Sequence, residues 1–149
     1  MYNTLLTLSR DIFFYKKIML PDSFETRVYL MFIHFSVMMI ITKKKGHKFN
    51  QKEYDLVFYN IENNLRELGF GDVSVNKKMK DYVNLFYLIL GKIENWEILE
   101  LDQKKEAFED LLNIKEDNVS FVKYFDKYSA FLSNNTLKLF TKDILEFKF

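Results

Sequence analysis

No cysteine occurs anywhere in the chain. This removes disulfides, thiol nucleophiles and nearly all structural zinc sites, and suits a reducing compartment. One proline and four glycines among 149 residues are too few for a fold made of many tight turns. The catalytic inventory is equally short. Of two histidines, His34 lies in an apolar run and His47 in a lysine-rich loop. Neither has a partner at metal-ligand spacing, so no metal or other cofactor is expected. There is no Gly-x-Ser-x-Gly elbow, and Gly69-x-Gly71 lacks both a preceding strand and a third glycine. The chain is therefore not expected to be an enzyme. Its start, MYNTLLTLSRDIFFYKK, lacks the apolar core and cleavage site of a secretory signal and the arginine-rich make-up of an organellar presequence, which points to a cytoplasmic protein.

Aromatic and aliphatic residues at helical spacing are abundant, with 16 Phe and 9 Tyr. The stretch Val28 to Thr42, VYLMFIHFSVMMIIT, carries no charge and is apolar on nearly every side. A helix of that kind is buried all round. At 1.5 Å per residue it spans about 22 Å, short of a hydrocarbon core of about 30 Å, and so reads as the central helix of a soluble domain. Its flanks, Arg27 and Lys43 to Lys45, also suit a short anchor whose basic ends reach a membrane surface.

The remaining segments carry one-sided apolar stripes. A first helix is expected over about Thr4 to Lys17. The central helix follows Pro21, with Asp22 as its cap and Glu25 reaching back. Asn50 with Glu53 repeats that signal and opens a third helix, stopped at Gly69. A fourth starts near Ser74, turns Val75, Met79, Tyr82 or Val83, Phe86 and Leu90 inward, and continues past Gly91 toward Trp96. Shorter patterns follow over roughly 103 to 114, 119 to 133 and 136 to 147. The expected fold is all-α: a compact single-domain bundle of six to seven helices over residues 1–149, around a buried apolar central helix.

Charge is unevenly spread. Residues 1 to 92 hold 14 basic and 9 acidic side chains, residues 93 to 149 hold 8 and 12. A molecule polarised in this way can orient on an anionic surface, or simply carry segregated surface charge. Lys77, Lys78 and Lys80, with Lys43 to Lys45, Lys48, Lys52 and Arg66, form a candidate basic face for RNA phosphates or lipid headgroups. Aromatic residues do not interleave with them as base stacking requires, so sequence-specific nucleic-acid binding is not expected. His34 has two readings. One is a buried histidine hydrogen-bonded to a neighbouring helix. In the other, the stripe Arg27, Met31, His34, Met38 and Ile41 faces a groove for a partner's apolar helix.

Two blocks carry a resemblance. Leu65 to Lys80, LRELGFGDVSVNKKMK, resembles the signature block of the ubiquinol:cytochrome c reductase assembly chaperones. Ser9-Arg10, Phe14-Tyr15, Leu20-Pro21-Asp22-Ser23, Arg27 and His34 fall in the order and spacing of the same family's first block. The likeness covers about residues 2 to 96, with Gly91-Lys92 similar to a later Gly-Arg; the helical tail over 101–149 matches no known pattern. The resemblance implies a non-enzymatic chaperone that helps newly made cytochrome b, a bundle of apolar helices, mature into the cytochrome bc complex. It implies the bacterial branch of the family and a location peripheral to the inner membrane. The ribosome, an anionic membrane surface and a second small chaperone subunit are further candidate partners. The partner-binding positions it implies are Arg10, Tyr15, Asp22, Arg27 and His34 from the first block, and Arg66, Glu67, Gly69, Gly71, Asp72, Lys77, Lys78 and Lys80 from the second.

Overall fold

The computed structural model describes residues 1–114, 118–135, 147 and 149. Among them are seven α-helices and no strand: α1 (Tyr2–Ser9), α2 (Ile12–Lys16), α3 (Phe24–Lys44), α4 (Gln51–Glu67), α5 (Asp72–Ile93), α6 (Leu101–Leu112) and α7 (Asn118–Asn134), with a 3-10 turn over Trp96–Ile98. The all-α expectation holds. The helix expected over 136–147 lies, apart from residue 147, outside the described residues.

Helix α3 is the axis, packed against α1, α5, α6 and α7. Every residue from Leu30 to Met38 is buried. Although α3 is long and apolar enough to cross a bilayer, two thirds of its most apolar window is covered by protein. The coverage comes from two aromatic layers. On one side Phe32 and Phe35 meet Phe86 of α5 at ring separations of 5.5 and 5.4 Å, and Phe32 meets Phe58 of α4 at 5.4 Å. On the other, His34 lies among Phe14, Tyr124, Phe125 and Tyr128. With aromatic rings on both flanks, α3 has no face left for water between Leu30 and Met38, which is why that stretch shows no amphipathic period.

Local chemistry sets the helix ends, and several differ from expectation. The first helix is two helices. Asp11 adopts an extended backbone and accepts from the Phe13 N–H at 2.9 Å, capping α2 and ending α1; a short acidic side chain offers the backbone this alternative to continuing a helix. Ser23, rather than Asp22, caps α3 by accepting from the Thr26 N–H at 3.2 Å. Asp22 instead pairs with Arg27 at 2.8 Å, and Glu25 accepts from the Tyr82 hydroxyl at 2.9 Å. Asn50 caps α4 through the Lys52 N–H, while Glu53 stands 3.8 Å from the Met1 ammonium. Helix α5 begins at Asp72 and ends at Ile93, with Val75, Tyr82, Phe86, Ile89 and Ile93 as its buried stripe. Of the alternatives Tyr82 and Val83, Tyr82 is the buried one and its hydroxyl donates to Glu25, while Val83 is half-buried.

The carboxyl-terminal helices are tied on by two polar anchors. Asp126 of α7 accepts from Trp96 Nε1 and from Lys104 Nζ, both at 2.8 Å. Lys45, just past α3, donates to the carbonyl of Leu132 at 2.9 Å and to that of Asn135, so a cation meets the carbonyl end of α7 where the helix dipole favours it.

The shifted cap is directly testable. Ser23→Ala is expected to lower stability in urea unfolding by about 1 kcal/mol, and Asp22→Ala, which removes only an exposed ion pair, by about 0.5 kcal/mol. The reverse order would return the cap to Asp22.

Candidate functional site

A cavity of about 250 Å³ opens where α1, α3 and α4 meet, lined by Tyr2, Leu6 and Arg10, by Phe24, Arg27, Val28 and Met31, and by Ile61, Asn64, Glu67 and Leu68. Each helix contributes through its own periodicity. Tyr2, Leu6 and Arg10 recur every fourth residue; Phe24, Arg27, Val28 and Met31 follow the i, i+3, i+4, i+7 pattern; Asn64, Glu67 and Leu68 follow i, i+3, i+4. The floor is apolar and the rim is polar. Arg27 holds Asp22 with one guanidinium nitrogen, while Arg10 is exposed and has no ion pair among the described residues. Asn64 Nδ2 donates to Tyr2 Oη, and burial pushes the Tyr2 hydroxyl above its ordinary pKa, so it stays protonated. Two guanidinium groups over an apolar floor suit a carboxylate carried by an apolar segment, since arginine presents paired donors to a planar anion.

Three of the implied positions, Arg10, Arg27 and Glu67, converge on this cavity, and Asp22 joins it through Arg27. Tyr2, Leu6, Phe24, Asn64 and Leu68 were not singled out from the sequence. Their spacing was the available signal, but spacing on a single helix does not say which three helices meet.

Tyr15, Arg66, Gly69, Gly71 and Asp72 have contacts or positions within the fold. The Tyr15 hydroxyl donates to the Ser9 carbonyl at 2.6 Å, satisfying an acceptor at the end of α1. Arg66 spans the α4–α5 turn, pairing with Asp72 and, at 3.1 Å, with Glu62. Gly69 has φ +94°. Its N–H donates to the Arg66 carbonyl at 3.0 Å and that of Phe70 to Leu65 at 3.3 Å, the Schellman closure that favours glycine. Gly71 precedes α5 as its cap residue, and Asp72 sits in the first turn, where a carboxylate is favoured.

The basic residues do not form one face. Lys78 lies 3.6 Å from Glu25 and 4.9 Å from the Phe70 ring centre. Lys77 and Lys80 are exposed without an ion pair among the described residues. Lys43, Lys44 and Lys48 gather instead beside Gly91 at the far end of α5, about 20 Å away at helical rise.

His34 is fully buried. Its Nδ1 lies 2.7 Å from the Leu30 carbonyl and its Nε2 2.9 Å from the Tyr124 hydroxyl. A carbonyl can only accept, so Nδ1 carries the proton and Nε2 accepts from Tyr124. Burial lowers the imidazole pKa to about 4, against a weaker opposing pull from the Leu30 carbonyl. Met31, Met38 and Ile41 of the same stripe are buried too. From His34 onward this stripe faces packed core, while Arg27 and Met31 at its start line the cavity, and His34 has no solvent-facing pocket in which to act as an acid or base.

A family model described as Ubiquinol-cytochrome C chaperone matches residues 16–96, just over half of the chain. Arg27, His34 and the second block lie inside the match, with Arg10 and Tyr15 just before it. No curated protein and no solved structure matches.

The histidine gives a pH signature. Its folded pKa, about 4, lies below the unfolded value near 6.5, a difference worth roughly 3 kcal/mol. The contribution is complete above the unfolded value. It declines as pH falls toward 4, because the unfolded chain takes up the proton first, and levels off below that. Urea unfolding between neutral pH and pH 4 is expected to show this loss, and His34→Gln is expected to flatten it. An equally steep decline in His34→Gln would assign the loss to carboxylates.

Proposed function

The chain belongs to the ubiquinol-cytochrome C chaperone family, and on that premise we propose that it binds newly made cytochrome b during assembly of the cytochrome bc complex. We place it in the bacterial branch, in the cytoplasm and peripheral to the inner membrane, acting by binding rather than by catalysis. The observation that carries the reading is the meeting of Arg10 and Arg27 from the first block with Glu67 from the second around one small cavity.

A client made of apolar helices exposes side chains that aggregate in water before their partners arrive. The cavity's floor of Leu6, Phe24, Val28, Met31, Ile61 and Leu68 takes one or two such side chains, and Arg10 and Arg27 take an acidic group or carboxylate beside them. A contact this small holds its client weakly, as a chaperone that must hand the client on requires. Lys77 and Lys80, the block's unpaired cations, are the positions we assign to a ribosome contact; Lys78 is occupied by Glu25 and Phe70.

The test is cytochrome b abundance and its reduced-haem spectrum in a respiring bacterial host lacking this gene. Wild type is expected to restore cytochrome b, with other membrane cytochromes unchanged throughout. Arg10→Glu with Arg27→Glu is expected to fail, because losing charge-assisted hydrogen bonds weakens a contact by about tenfold or more, while circular dichroism of the variant stays helical. Restoration by the double variant would remove the cavity from the mechanism. Unchanged cytochrome b in the deletion strain would remove the role itself.

A further inference from the structure

A second, larger opening of about 920 Å³ lies at the other end of α3, where Met39, Ile40 and Lys43 face Lys48 and Phe49 of the loop and Leu90 and Gly91 of α5. Met39 and Ile40 are the first side chains of α3 after the buried run Leu30–Met38 to be only partly covered. With Phe49 and Leu90 they form an apolar floor, and Tyr87 stands exposed at its edge. The rim is cationic. Lys44 is engaged by Glu97 at 3.1 Å and Lys45 is turned toward α7. Lys43 and Lys48 are exposed and have no ion pair among the described residues; Glu94 is the one acidic lining residue.

Gly91 adds an independent observation. It lies within α5, where glycine costs roughly 0.5–1 kcal/mol relative to alanine, and its φ is not in the left-handed region. A Cβ placed on it would meet nothing within 4 Å. Neither backbone nor neighbours require glycine here. Its bare surface widens the opening that its position lines.

We propose that this groove binds an anionic phospholipid of a membrane, with Lys43 and Lys48 on the headgroup phosphate and an acyl chain along Met39, Ile40, Phe49, Leu90 and the bare Gly91 backbone. Separated cations and an apolar trough match a molecule that has both an anion and a chain, and Met39 adapts its shape to a flexible chain. The groove shares no residue with the Arg10–Arg27 cavity, so the two proposals fail separately.

The test is flotation of the full chain with vesicles of phosphatidylcholine alone or mixed equally with phosphatidylglycerol. Binding to the mixed vesicles is expected, with little to phosphatidylcholine. Lys43→Gln with Lys48→Gln is expected to weaken it about thirtyfold, the contribution of two surface cations at an anionic membrane. Gly91→Phe, which fills the trough while improving helix propensity, is expected to abolish the part that survives about 1 M salt, where the Debye length is about 3 Å. Circular dichroism and urea unfolding establish that both variants fold. The proposal is overturned if wild type does not float with mixed vesicles, or if Gly91→Phe floats as wild type does. Full displacement by inorganic phosphate would make this a free-anion site. Binding of an acidic amphipathic peptide without vesicle binding would give the groove to a protein partner, and either result also overturns the proposal.

Discussion

Burial of α3 on every side from Leu30 to Met38 is the constraint on which the other helices depend. A helix with one apolar face can rest on a single layer, but a helix without a wet face needs a layer on each side. Helices α4 and α5 bring Phe58 and Phe86 to one flank, and α2 and α7 bring Phe14, Tyr124, Phe125 and Tyr128 to the other. Between them His34 is a polar group in an apolar zone, held neutral by burial and hydrogen-bonded to a carbonyl on its own helix and to a tyrosine ninety positions away. That bond has direction, which dispersion contacts lack, and sets how α7 lies against α3.

Such burial restricts where α3 can meet anything else. It leaves the packed interior at its two ends, and an opening forms at each. At the amino end Arg27, Val28 and Met31 join α1 and α4 in a small cavity with a guanidinium rim. At the carboxyl end Met39, Ile40 and Lys43 join the lysine loop and α5 in a wider groove with an ammonium rim. Both have an apolar floor and cations at the edge, but they differ in size and in donor geometry: forked arginines suit planar carboxylates, whereas lysines act as point charges. The two ends of one helix thus carry the openings proposed for a client and for a lipid.

The block Leu65 to Lys80 shows how a recognisable motif can be mostly architecture. Gly69 supplies the left-handed turn, Arg66 and Asp72 clamp it, and Lys78 leans on Glu25 and Phe70. These contacts fix the angle between α4 and α5 and thereby the placement of Glu67 and Leu68 on the cavity wall. Glu67 and Leu68 are the residues of the block that reach the opening itself.

The helical class, the burial of most of the run Val28 to Thr42, the stop at Gly69 and the family were all legible in the sequence, because they depend on periodicity, on backbone preference and on local motif order. Exact helix ends were less so. Asp22 and Ser23 are both good caps, and Asp22 became a partner for Arg27 when Ser23 reached the Thr26 N–H. The expected groove along Met31, His34 and Met38 was a tertiary matter. A Met-rich stripe is equally apolar facing core or solvent; the arrival of α7, with Tyr124 at His34, sealed it from His34 onward, while Met31 was left at the cavity. Only the tertiary structure could gather Arg10, Arg27 and Glu67 while leaving Lys77 and Lys80 apart from Lys43 and Lys48, because residue spacing determines neighbours along one helix and the packing of several helices determines neighbours between them.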